Sequence, residues 1–258
     1  MTLARTALRL VVSAALKGAG GARPTIAEGR FYDSRISDLA PESVVDDAKP
    51  VGILLTDGDE GEALSEQNGG SPFHRLIELV IELGMVQAIA ATADEGGGYI
   101  VGYPDTDRRL EASLDLLEFQ VMRRLSYDPA PLPVLFRKFV RIRKHDCHRQ
   151  VTDDTGVKLA CRLLTLTCEV TDDRVEIYNS SKTQPTGLDL LPEPLKSVAK
   201  ALADGSSELE VCNAIAAALN PPLSAGPLEG FDAVFDNKTP TGVDDPSHKV
   251  GANIDLPQ

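Results

Sequence analysis

The stretch HRLIELVIELGMVQAIAA, His74 to Ala91, decides the fold class. Glu78 and Glu82 recur at helical spacing, whereas the β-branched Ile77, Val80 and Ile81 favour an extended chain. The residues that follow tip the balance. Asp94–Gly98 (DEGGG) leads into YIVGY (Tyr99–Tyr103), the pattern of a tight turn and a returning strand. The long run is therefore expected to be a strand in an antiparallel sheet.

Working outward, Pro50–Leu55 (PVGILL) reads as a buried strand bounded by Pro50 and the Asp57-Gly58 turn. Residues Asp57–Ser71, acidic and rich in glycine, read as a long loop. Arg108–Leu125 carries a clear helical stripe of Leu110, Leu114, Leu117, Val121 and Leu125, with Asp105 or Thr106 as cap and Arg123 and Arg124 at its negative end. Pro129, Pro131 and Pro133 should end it, and Leu135–Lys144 (LFRKFVRIRK) should form a strand. Val157–Val170 alternates with a change of phase at Leu163 and Leu164, which predicts a bulge there.

Thr2–Lys17 reads as an amphipathic helix, capped by Thr2 and ended by Gly18. Arg5, Arg9 and LVVSAAL imitate a secretory leader, but the apolar stretch is short for one, so a retained helix is expected. Pro194–Leu202 and Ser207–Leu219 read as short helices, the second capped by Ser206 or Ser207. Pro221–Gln258 has six prolines and four glycines, too little to build its own core, and is expected to lie along a neighbour. The expected fold is α+β: a mixed, mainly antiparallel sheet of about four to five strands, flanked by the N-terminal helix and one long helix. Residues 1–178 would form this domain and residues 179–258 an acidic extension with short helices and an extended arm.

Composition limits the function. The 258 residues hold 39 acids against 26 bases, a formal net charge of −13, which disfavours phosphate-driven nucleic-acid binding. Tryptophan is absent and aromatic residues make up 5%, too few for a base-stacking platform. No apolar run reaches the roughly 18–20 residues that cross a bilayer, so no membrane association is expected. Cys147, Cys161, Cys168 and Cys212 form no C-x-x-C pair and are too sparse for a disulfide framework.

The search for chemistry finds no catalytic set. His145-Asp146-Cys147-His148 concentrates metal-type side chains but lacks a second ligand pair, and reads as a polar strand end. Asp57-Gly58-Asp59 begins like a calcium loop and then departs from it at Gly61 and Glu62. Glu78 and Glu82 would share a strand face about 13 Å apart, too far for a glycosidase carboxylate pair. No catalytic, metal or cofactor residue is assigned, and no enzyme activity is expected.

Charge placement is the informative feature. Six of the thirteen residues Arg137–Arg149 are basic in an otherwise acidic chain, which fits either a soluble strand edge or a patch that meets an acidic surface on another copy. The candidate contact residues are Asp57, Asp59, Glu60, Glu62 and Glu66 on the acidic side. On the basic side they are Arg137, Lys138, Arg141, Arg143 and Lys144.

Taken together, an N-terminal helix, Arg30–Ile36 (RFYDSRI), Pro50–Leu55, an acidic loop, Glu78–Glu82, the helix around Leu110–Leu125 and a closing alternating strand resemble the phage tail terminator (tail-completion) proteins over roughly residues 1–170. The acidic segment after about Thr186 departs from the usual short form. The resemblance implies a structural virion protein: a six-membered ring at the head-proximal end of the tail, assembled in the host cytoplasm. Its partners would be its own copies, the tail tube protein and the head–tail connector protein, with DNA passing through the lumen unbound. The Asp57–Ser71 loop would face the tube, and the C-terminal arm would wrap an adjacent subunit, so that truncation at Pro221 weakens the ring. Two alternatives remain at this point, a head–tail connector or neck ring, and a small-molecule-binding or hydrolytic α/β domain.

Overall fold

The computed structural model describes residues 2–21, 23–34, 47–64, 72–90, 99–151, 158–174, 185–219, 230–236 and 249–255. The chain is α+β. Residues Met1–Leu219 form one compact unit and Asn220–Gln258 a second. In chain order the first contains α1 (Ala4–Leu16), β1 (Phe31–Asp33), β2 (Lys49–Ala63), β3 (Phe73–Ala90) and β4 (Tyr99–Gly102). Then come α2 (Arg108–Tyr127), α3 (Pro131–Phe139), β5 (Val140–Val151), β6 (Lys158–Thr171), α4 (Leu195–Ala201) and α5 (Ser207–Leu219). The described part of the second unit is an antiparallel pair, β7 (Gly230–Asp236) with β8 (Lys249–Asp255).

The sheet runs β1-β2-β3-β6-β5, with β4 also pairing β3. Every pairing is antiparallel except β1 with β2. The deciding stretch is thus a strand, and Tyr99–Gly102 is its returning partner; the turn at Asp94–Gly98 lies outside the described residues. Strand alternation gives β3 two unlike faces. Ile77, Leu79, Ile81 and Leu83 are fully buried in the main core, while Glu78 on the other face is exposed.

The helices lie on the buried face, and α1 is their hub. Ten of its thirteen residues are buried. It is amphipathic in its first half, as expected, with Arg5, Thr6 and Arg9 half-buried, but wholly buried from Leu10 to Leu16, because α3, α4, α5 and the sheet surround it. Its first turn is held by Asp173, which accepts from Thr2 Oγ1 at 2.5 Å and from the Leu3 amide at 2.7 Å. Gly18, at φ 84°, ends it in the left-handed conformation that glycine adopts without a Cβ penalty. On its far side α5 is tied in by buried Glu208, which accepts from Ser13 Oγ and Lys17 Nζ, both at 2.7 Å.

Several expectations are corrected. The acidic stretch is not a loop from Asp57, since β2 continues through Ala63 against β3 with one bulge between Thr56 and Asp59. Hydrogen bonding to β3 on one side overrides the turn signals. The prolines end α2 but also start α3, with Pro131 in the first turn, where its missing N–H costs nothing. Leu135–Phe139 is therefore helical, and the strand begins only at Val140. The α2 cap is Asp107, whose Oδ1 accepts from the Leu110 amide at 2.8 Å, not Asp105 or Thr106.

The expected bulge at Leu163 and Leu164 is also absent: β6 pairs without interruption there with both β3 and β5. The irregularities fall in β5 instead, at Ile142/Lys144 and Arg149/Val151. The phase change records a change of covering. Cys161 is buried opposite Gly84, where a Cβ would stand 2.2 Å from the Tyr103 ring, so Tyr103 covers that end of the face away from the helices, beside the buried Val51 and Val86. From Leu164 onward the apolar residues turn to the helices: Leu164, Leu166 and Cys168 are fully buried.

Candidate interaction surface

Two strand edges carry the charge clusters. Because β1 pairs only with Gly52–Leu54, the rest of β2 up to Ala63 has no outer strand partner among the described residues. At the other side of the sheet, β5 is terminal. The acidic edge holds Asp57, Glu60 and Glu62, all exposed. The Asp57 carbonyl, released by the bulge, accepts from Arg5 of α1 at 3.1 Å, and the Thr56 carbonyl from the same guanidinium at 2.8 Å. Asp59 turns inward to Arg75 at 3.1 Å, and Arg75 also bridges to Asp172 of the loop after β6. Glu66 lies outside the described residues.

The basic cluster is divided. Arg137 and Lys138 sit on the last turn of α3 rather than on a strand, where cations suit the negative helix end. Arg137 also donates to the carbonyls of Leu125 at 3.0 Å and Asp128 at 2.7 Å, closing the end of α2. Arg141, Arg143 and Lys144 are exposed on β5. Arg143 pairs with Glu169, and Lys144 with Asp146 at 3.3 Å. Arg137, Lys138 and Arg141 meet at an open cleft of about 350 Å³, joined by Arg174.

Strand alternation separates the His145–His148 quartet. His145 and Cys147 pair with Leu166 and Leu164 on the helix-covered face, while Asp146 and His148 pair with Thr165 and Leu163 on the other. Cys147 donates to Glu118 at 3.4 Å, and burial pushes its thiol up to about 11, so it stays protonated at neutral pH. Burial likewise raises Cys212 to about 11 and Cys168 to about 12. None of these thiols is activated as a nucleophile.

Sequence reasoning missed the arrangement that fixes α2 over β5 and β6. Glu111 takes two arginines, Arg149 and Arg162. Arg162 reaches Asp115 at 2.7 Å and Glu118 at 3.3 Å. Hydrogen bonding from Arg149, helped by Thr106 and Arg162 against the cost of burial, holds the Glu111 carboxyl well below the ordinary carboxylate range. The available signal was the spacing of Glu111, Asp115 and Glu118, which places all three acids on one helical flank.

Among the described residues, no group of three or more His, Cys, Asp or Glu is placed to hold a metal ion, and no helix is long and apolar enough to cross a membrane. No protein-family model and no curated protein matches this chain.

Proposed function

We propose that this chain is a structural virion protein that assembles into a ring, caps the head-proximal end of a phage tail tube, stops its polymerisation and joins the tail to the head connector. The observation that carries the reading is the one-sided sheet. Helices cover one face, and among the described residues the sheet ends in two edges, β5 and the part of β2 beyond Leu54, that no further strand pairs; natural monomers usually blunt or cover such edges. Such a surface suits association with like copies, and the order of elements resembles the tail terminators. In this reading the protein works by shape and contact and catalyses no reaction. Its net negative charge suits a lumen through which DNA slides, because phosphates find few cations to bind.

Electron microscopy of the purified protein tests the proposal, together with addition of the protein to polymerising tail tube protein. Closed rings that arrest tube growth are expected. A protein that stays monomeric at every concentration overturns the reading, and rings that bind only the connector side make it a neck ring.

A further inference from the structure

Pairing rows run across the sheet from one open edge to the other. Glu60 of β2 pairs with Leu76 of β3, Leu76 with Glu169 of β6, and Glu169 with Arg141 of β5. A neighbouring row starts at the Asp57–Gly58 bulge, where a Cβ on Gly58 would lie 3.4 Å from Glu78. It continues from Glu78 to Thr167 and ends at Lys144. Each row therefore begins with an acid and ends with a base at the same level of the sheet.

We propose that the sheet of one copy continues into the next, with Val140–His145 of β5 lying antiparallel to Thr56–Gly61 of the neighbour's β2. Arg141 then stands opposite Glu60, and Lys144 opposite Asp57. The proposal rests on the ring reading above and adds which surfaces meet, in what direction and in what register. Direction follows from topology. Three antiparallel steps separate β2 from β5, so the two edges run in opposite senses within one copy. Rotation about an axis along the strands preserves those senses and makes the contact antiparallel. Extent follows from β1, which already occupies Gly52–Leu54 and confines the new pairing to the rest of β2, where Arg5 must release the carbonyls of Thr56 and Asp57 as the neighbouring strand arrives.

Charge selects this mode over a symmetric dimer. Two β5 edges would set Arg141 and Lys144 against each other, and two β2 edges would oppose Asp57 and Glu60, both unfavourable for residues directly across a strand pair. Head-to-tail contact of unlike edges satisfies all four residues and repeats until the rotation closes. Backbone hydrogen bonds supply the adhesion, and the charges choose the partner edge and the register.

The test uses full-length chains with exchanged charges. One variant carries Asp57→Lys and Glu60→Lys, so both of its edges are basic; the other carries Arg141→Glu and Lys144→Glu, so both are acidic. By mass photometry each variant alone should associate at least about tenfold more weakly than the unaltered protein. An equimolar mixture should recover rings in which the variants alternate one to one. Ring formation by either variant at unaltered strength overturns the edge pairing, and so does a mixture that stays apart while circular dichroism shows both variants folded. Salt titration of the unaltered rings gives a second readout: they should loosen as ionic strength rises, and indifference to salt overturns the charge matching. Unaltered protein that never associates removes the ring reading itself, whereas rings that ignore the exchange remove only this contact.

Discussion

The two faces of the sheet are built from the same strands and do opposite things. On the covered face, Ile77, Leu79, Ile81 and Leu83 of β3 meet Leu164, Leu166 and Cys168 of β6 beneath α1, and all are fully buried. On the other face the same two strands present Glu78, Val80, Thr165, Thr167 and Glu169, exposed or half-buried. The first face supplies cohesion, since each buried aliphatic side chain contributes about 1.5–3 kcal/mol. The second is kept polar enough to remain open, and its rows end in the charged edges. Stability and contact are thus separated within single strands, by alternation.

The largest effect is expected where the covered face is hollowed. Ile81→Ala should cost about 2–5 kcal/mol in urea unfolding, because a tightly surrounded site cannot collapse to fill the space. A loss below that range would show that the covered face is loosely packed. Gly84→Ala, at the one place where Tyr103 caps the open face, should cost about 1–3 kcal/mol as the new methyl meets the ring. A neutral result would mean that Tyr103 swings aside and that this end is open as well.

Smaller still is the tie between α5 and α1. Glu208→Gln should cost about 1–2 kcal/mol at neutral pH, through weakened bonds to Ser13 and Lys17. Burial works to raise the Glu208 pKa, but Lys17 and Ser13 outweigh it and the net direction is down. The carboxylate therefore contributes stability that is full above its ordinary value of about 4.3 and is lost as pH falls through the lower folded value. The Gln variant should unfold on a flatter acid limb, and matching limbs would remove Glu208 as a source of pH dependence. The smallest effect belongs to Glu78→Ala on the open face, expected to stay within about 0.5 kcal/mol. A cost near that of Ile81→Ala would erase the distinction between the faces.

Much of the fold was legible in the residues. Periodicity marked α2, α5 and β6, because a single apolar stripe or alternation suffices when one partner layer lies beneath, whereas β3 was recognised by the turn and returning strand that follow it. The extension of β2 was hidden, since Asp57, Glu60 and Glu62 are unusual in a strand and are tolerated here only because that edge faces solvent. The helix α3 was hidden behind prolines that mark a start as readily as a stop. Of the candidate contact residues, the acidic and basic groups could be named from the clustering of charge along the sequence. The division of Arg137 and Lys138 from Arg141, Arg143 and Lys144 between helix and strand could not.

The sequence by itself determined the fold class, the long central strand and the presence of two oppositely charged segments, since these depend on local periods of two and 3.6 residues, on the turn signal after the strand and on where charges cluster along the chain. Only the tertiary structure decided that α1 is the core, that Arg149 and Arg162 anchor α2 through Glu111, and that the charged segments end the same rows of one sheet. Those facts arise from residues distant in the chain, brought together by strand order and register, which no local pattern encodes.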